Sequence, residues 1–317
     1  LVGKTKDNED ITVPVNGYKP PVKAITESNR EIHKLLKIEQ LTTSWKITLE
    51  KGTISLKPFS ENMVEVTYFP KGTSKADPSH AVIMKPGKVA LSMTKTTSGY
   101  VLRNGQMTIT ANADPFFLTY IYKGDTLLNE ESGFYSKPGS TGVRLALKKG
   151  EKVYGTGERA IAMDRRGKKL PLYNRPSYGY EFGATQLNYS VPMTISSRKY
   201  AILFDNPQKG FVDIGNSDPS VTEWNAIGGT ARYYVVAGST YPEMMKSYTQ
   251  LTGRQPLPPR WALGNLQSRM AYRNQKETDS IVTLMLKKDF PVDAVILDFY
   301  WFGDSIQNYV GNLDWVN

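Results

Sequence analysis

The stretch that most constrains this chain runs from Pro258 to Gly303, PPRWALGNLQSRMAYRNQKETDSIVTLMLKKDFPVDAVILDFYWFG. It reads as strand, loop, helix, strand. Trp261 to Ser268 is a mostly apolar run with Gly264 inside it. Asn274 suits a helix N-cap, and Glu277 three residues later gives capping-box spacing. Ile281, Leu284, Met285 and Lys288 recur at helical spacing, so the helix carries one apolar stripe. Phe290-Pro291 stops it, because proline cannot continue a helix and pushes its predecessor out of the helical region. Ala294-Val295-Ile296-Leu297 is short and continuously apolar, the pattern of a parallel strand covered on both faces. Two parallel strands joined through one helix form a βαβ unit. Asp298 stands at the C-terminal end of the second strand, followed by Phe299, Tyr300, Trp301 and Phe302. In a (β/α)8 barrel that end of a strand faces substrate.

Ahead of this stretch the pattern is all β. Trp45, Ile47 and Leu49, then Ile54 and Leu56, then Val64, Val66 and Tyr68 alternate with period two. Lys51-Gly52, Asn104-Gly105, Lys123-Gly124 and Lys149-Gly150 mark turns between short strands. This spacing predicts an antiparallel β-sandwich over 31–253. Residues 1–30 are polar and proline-bearing and read as an extended arm. Ser239 to Leu251 reads as a short helix closed by Gly253. The proline-rich linker 254–259 then leads into 260–317, the start of a barrel. A whole barrel needs about 250 residues. Only 317 − 259 = 58 follow Pro259, enough for two strands. The fold expected is therefore multidomain: a sandwich followed by the first βαβ segment of an incomplete (β/α)8 barrel.

Composition narrows the chemistry. The chain has no cysteine and only two histidines, His33 and His80, far apart. Disulfides, thiolate metal sites, a cysteine nucleophile and a Ser-His-Asp triad are thereby set aside, and neither a metal nor a cofactor is expected. The net charge of +10 is scattered along the chain. Nucleic-acid binding would call for a concentrated basic stripe or a known module. No apolar run approaches the roughly 20 residues of a membrane span.

Several motifs resemble glycoside hydrolase family 31, the α-glucosidases and α-xylosidases. The first barrel strand of that family is similar to Pro258, Pro259, Trp261, Ala262, Leu263, Gly264, Ser268 and Arg269. The second is similar to Pro291, Asp293, Leu297, Asp298, Trp301 and Phe302. Upstream, Tyr154-Gly155-Thr156-Gly157-Glu158 resembles a signature late in the family's N-terminal sandwich, and its glycines read as structural. The strands 189–195 and 200–207 also resemble the family. This likeness implies a retaining, exo-acting α-glycosidase working through an aspartyl glycosyl-enzyme intermediate. α-Xylosidase and α-transglucosylase are alternatives within the family, and a non-catalytic carbohydrate-binding sandwich is one from another class.

The likeness assigns roles residue by residue. Asp298 matches the aspartate that accepts hydrogen bonds from sugar hydroxyls in the −1 subsite, and Phe299 a wall residue beside it. Met270 stands where the family has an aromatic platform, although Arg269 and Tyr272 of that motif are kept. Tyr178 lies in the aromatic segment 172–180, which matches a loop over the barrel mouth. Pro176 occupies the position where that loop often carries an acidic residue, and Tyr300 replaces a second acidic residue after Asp298. Asp293 falls at a strand start, on the barrel's stability face. The nucleophile and acid/base aspartates of the family belong to later strands and are expected beyond Asn317, so these residues alone are expected to be inactive. The expected partners are an oligosaccharide or α-glycoside substrate and the remainder of the chain's own barrel. The chain opens on Leu1 without a methionine, as after removal of a signal peptide, so a periplasmic or secreted location is expected, with a cytoplasmic one as the alternative.

Overall fold

The computed structural model describes residues 2–4, 10–12, 29–177, 179–270 and 272–315. The chain divides into two units, Leu1–Gly253 and Arg254–Asn317.

The first unit is built on two antiparallel sheets. The nine-stranded sheet runs Lys168–Leu172, Gly210–Ile214, Val221–Ala226, Ser140–Ala146, Asp125–Lys137, Phe116–Tyr122, Met107–Ala113, Gly99–Asn104, Leu91–Lys95. The eight-stranded sheet runs Val153–Gly157, Ser190–Ser196, Tyr200–Phe204, Ala231–Ala237, Met63–Pro70, Gly52–Ser60, Trp45–Leu49, Leu35–Gln40. Alternation decides what lies between them. Trp45, Ile47, Ile54, Leu56 and Val66 of one sheet join Leu102, Ile109, Leu118, Tyr120, Val143 and Trp224 of the other in one buried cluster. Each such side chain withdrawn from water contributes roughly 1.5–3 kcal/mol. The sandwich expected from the period-two pattern is therefore present. Within the expected arm, Val2–Lys4 pairs antiparallel with Asp10–Thr12; the rest of 1–28 lies outside the described residues.

The turns follow local chemistry. Asn104 pairs with Met107, so the two-residue loop is Gly105-Gln106, one position later than the Asn-Gly signal suggests. Gly105 takes the positive φ (61°) the turn needs. Asn104 is buried and its amide donates to the Ser60 carbonyl at 2.9 Å. The edge strand of the eight-stranded sheet is Leu35–Gln40. The helix Tyr241–Thr252 starts at Thr240, whose side chain accepts from the Glu243 amide, and ends at Gly253. Met244 and Leu251 are buried with Phe59, Met63, Leu203, Tyr234 and Val236 in a second cluster.

The interior also holds buried carboxyls, Glu130 and Glu151 among them. Glu130 is 2% exposed. It accepts from the Tyr233 hydroxyl at 2.6 Å and from the Leu118 amide at 2.9 Å, and Tyr233 shares a further hydrogen bond of 2.6 Å with Tyr120. Burial pushes its pKa up from an ordinary 4.5 to about 7, against the opposing pull of the two hydrogen bonds. The folded chain therefore keeps a proton that the unfolded chain releases above about pH 4.5. Stability from this group is full below that pH, falls as pH rises toward 7, and then levels off. At about 1.4 kcal/mol per unit the difference is roughly 3 kcal/mol at most. Glu130→Gln keeps an oxygen for the Leu118 amide and cannot ionise. Urea unfolding of the pair at pH 5 and pH 8 should show the wild type losing about 1–3 kcal/mol more than the variant; parallel losses would mean that Glu130 keeps an ordinary pKa.

Candidate functional site

The second unit contains a parallel pair, Leu266–Arg269 and Ala294–Leu297, with Leu266 opposite Ala294 and Arg269 opposite Leu297. The helix Gln275–Lys287 makes the crossover. The first strand is shorter than the apolar run predicts, because Arg260–Leu263 closes as a 3-10 turn after Pro259. Asp293 fixes the strand start. It accepts from the Asn265 amide at 2.9 Å and its own amide donates to the Asn265 carbonyl at 2.9 Å. A Cβ at Gly264 would sit 2.1 Å from an Asp293 carboxylate oxygen, so glycine is needed for the close approach. Asp293 is thus a strut at the N-terminal end of the strands, away from their C-terminal ends.

The helix start is tied to the opposite end of the strands. Asn274 Oδ1 accepts from the Glu277 amide at 2.9 Å. The Glu277 carboxylate accepts from the Arg273 amide at 3.0 Å and from Arg269 Nη2 at 3.0 Å. Arg269 is the last residue of the first strand, so this ion pair locks strand end to helix start. Its guanidinium also lies 5.5 Å from the centroid of the Tyr272 ring, and Tyr272 is 2% exposed. The capping spacing was legible in the sequence; the part played by Arg269 was not, since nothing local links positions eight residues apart across a strand end.

Met270 and Asp298 each follow the last register pair directly, so both stand at the C-terminal end of the strands. Met270 is 59% exposed. Asp298 is exposed, and its carboxylate makes no hydrogen bond or ion pair among the described residues. Its backbone carbonyl accepts from Trp301 Nε1 at 3.2 Å. Trp301 packs on Phe302 and Trp315, with ring centroids 5.3 and 5.2 Å apart, and Phe299 meets Phe302 edge-on at 6.2 Å. Trp301 therefore packs against its neighbours, and Phe299 is half-buried beside Asp298. Tyr300 between them has φ 75°, a conformation rare for a residue with a side chain. The structure brings Met270, Asp298 and Phe299 to one strand end. Tyr178 lies outside the described residues.

The strand pair differs from expectation in burial. Ala294–Leu297 was expected to be covered on both faces, yet Ile296 is 45% exposed. The helix buries none of its residues, and Leu284 and Phe290 are exposed as well. Tyr272 and Phe302 are buried and Ile281 and Met285 half-buried, yet part of the apolar stripe stays uncovered among the described residues.

In the first unit, Val153–Gly157 ends in three consecutive positive-φ residues, Gly155, Thr156 and Gly157. A Cβ at Gly157 would meet the Ser190 and Val191 backbone at 2.7 Å, which accounts for this glycine structurally. Arg159, which sequence reasoning passed over, donates to the carbonyls of Thr156, Thr185 and Pro171. Burial lowers its pKa to about 10. It pins the segment that follows, and within that segment Asn174 Oδ1 accepts from Ser190 while Asn188 accepts from the Ser177 amide. Tyr173, Tyr180, Phe182 and Tyr189 stay exposed along it. Among the described residues no group of three or more His, Cys, Asp or Glu side chains could hold a metal ion, and no helix is long and apolar enough to cross a membrane.

Comparison with known proteins agrees with this architecture. Residues 53–213 match the glycosyl hydrolase 31 N-terminal galactose mutarotase-like domain, and residues 255–315 match the glycosyl hydrolases family 31 TIM-barrel domain. An α-glucosidase 2 from Bacillus thermoamyloliquefaciens is 30% identical over 259 residues, covering 80% of this chain and 33% of its own length. An α-xylosidase from Saccharolobus solfataricus is 26% identical over 267 residues, covering 79% of this chain and 35% of its own. The solved structure of a Flavobacterium johnsoniae dextranase of the same family, complexed with isomaltotriose, superposes with a TM-score of 0.81 at 26% identity, over 85% of this chain and 34% of that one. The chain spans about a third of the length of the curated relatives it matches. With a sandwich matched over half its length and a parallel βαβ pair matched behind it, this chain belongs to glycoside hydrolase family 31.

Proposed function

We propose that the whole protein is a retaining, exo-acting α-glycosidase acting on α-linked glucosides or related oligosaccharides. The observation that carries this reading is the position of Asp298: exposed, free of partners among the described residues, and one step past the last register pair of a parallel strand end. A carboxylate there accepts hydrogen bonds from two hydroxyls of a terminal sugar, and such charge-assisted bonds are roughly twice as strong as neutral ones. Phe299 closes one side of that subsite, and Met270 contacts the same sugar. Met270 offers a flexible thioether stem where a ring would stack, which favours looser packing of the sugar plane.

Asp298 is a binding group here, neither nucleophile nor acid/base. Retaining hydrolysis needs two carboxylates about 5–5.5 Å apart across the scissile bond. Those we assign to barrel strands other than the two described, which would also cover the apolar faces of Ile296 and Leu284. The names of the relatives support glucosides and xylosides alike, and α-transglucosylation is compatible with the same subsite.

Two outcomes are expected. In the full-length enzyme, Asp298→Asn and Asp298→Ala should lower kcat/KM on an aryl α-glycoside by about 10²–10⁴, the loss of two charge-assisted hydrogen bonds of roughly 1.5–3 kcal/mol each, at unchanged thermal midpoint; a loss under tenfold would remove Asp298 from the subsite. The purified chain 1–317 should show no turnover of aryl α-glucoside or α-xyloside, and turnover would mean that its own carboxylates are the catalytic ones.

A further inference from the structure

The outer face of the nine-stranded sheet carries a groove of about 660 Å³ that the reading above leaves without a role. That volume is within the range of small-molecule sites. Four strands build its floor. Lys169 stands opposite Asp213, Asp213 opposite Glu223, and Glu223 opposite Arg144. Two residues along, Phe211 stands opposite Asn225 and Asn225 opposite Gly142. The intervening residues Leu170, Val212, Trp224 and Val143 point the other way, into the core. The floor is therefore one continuous polar face set by register.

Its members are held firmly. Asp213 is 4% exposed and accepts from the Asn216 amide and the Ser217 hydroxyl. Glu223 accepts from Asn29, from the Tyr135 hydroxyl and from Arg144 Nη1 at 2.7 Å. The Asn225 amide nitrogen donates to the Tyr135 hydroxyl and to Ser140 Oγ, both at 2.9 Å. Asn225 Oδ1 and the Lys137 ammonium have no hydrogen-bond or ion-pair partner among the described residues, and the groove offers both an acceptor and a donor. Phe211 adds a half-buried ring, with Lys169 Nζ 3.8 Å from its centroid.

The charges cancel. Lys137, Arg144 and Lys169 face Asp213, Asp218 and Glu223. A lining with no net charge selects neither an anion nor a cation. A ring beside alternating donors and acceptors suits a neutral ligand that has an apolar face and a rim of hydroxyls. We infer that this groove is a second, non-catalytic site for a neutral oligosaccharide, the sugar face on Phe211 and its hydroxyls on Asn225 and Lys137. The Lys169 stem swings off the ring when the sugar enters. The site belongs to the first unit and does not depend on the role given to Asp298.

The test is a titration of the 317-residue chain with maltotriose, isomaltotriose and xylotriose, followed by amide resonances and by calorimetry. At least one trisaccharide should shift the resonances of 211–225 and 140–144. Phe211→Ala and Phe211→Leu should each weaken binding by about fivefold or more; the leucine variant keeps the apolar volume, so a folding defect in the alanine variant leaves the test intact. Lys169→Ala should leave affinity unchanged or tighten it by about two- to fivefold, since it gives up only a cation–π contact. No shift with any of the three sugars would overturn the inference. So would shifts confined to 266–302, which report the Asp298 site instead, and so would phosphate competition with loss of binding in Lys169→Ala, which report an anion site.

Discussion

Two strands that run side by side in the same direction cannot be joined by a tight turn, because the chain must return the length of the first before the second begins. That constraint organises the second unit. Leu266–Arg269 and Ala294–Leu297 pair in parallel register, and the helix Gln275–Lys287 is the return path. Both strands then end at the same edge. Whatever follows them, Met270 on one and Asp298 on the other, is delivered to one place without any contact between the two residues being required. The lock between Arg269 and Glu277 holds that edge against the helix start. Asp293 holds the far edge through Asn265. The strand pair is thus braced at both ends, and Asp298 stays exposed at the C-terminal one.

The first unit uses the opposite solution. Its strands are antiparallel, so short turns suffice; the second face of the eight-stranded sheet takes the helix Tyr241–Thr252, and that of the nine-stranded sheet is free to be polar. The buried faces supply the interior, from Trp45 to Trp224. The outer face of the nine-stranded sheet is then available for chemistry, and its rows of charge come from register alone. Glu130 is a carboxyl buried on the inside, where Tyr233 and the Leu118 amide satisfy it.

Much of this architecture was legible from residue pattern. Alternation marked the strands, Asn274 and Glu277 marked the helix start, and Phe290-Pro291 marked its end. Asp298 could be placed at a strand end before any coordinates. What was not legible depends on distant segments meeting. Lys169, Asp213, Glu223 and Arg144 are separated by up to 79 positions for the single pair Arg144–Glu223, and only register brings them into line. The carbonyl contacts of Arg159 leave no local trace, because carbonyls carry no sequence signature. The continuous apolar run at Ala294–Leu297 predicted a covered strand, and coverage depends on neighbours that the run itself does not encode.

The central claim is that Asp298 faces a sugar at the mouth of the strand pair. A crystal structure of the full-length protein soaked with a monosaccharide product tests it most directly. The Asp298 carboxylate should lie at hydrogen-bond distance, about 2.5–3.0 Å, from two adjacent hydroxyls of the bound sugar. A sugar bound with Asp298 turned away from it, or with Leu266–Arg269 and Ala294–Leu297 no longer paired in parallel, would contradict it.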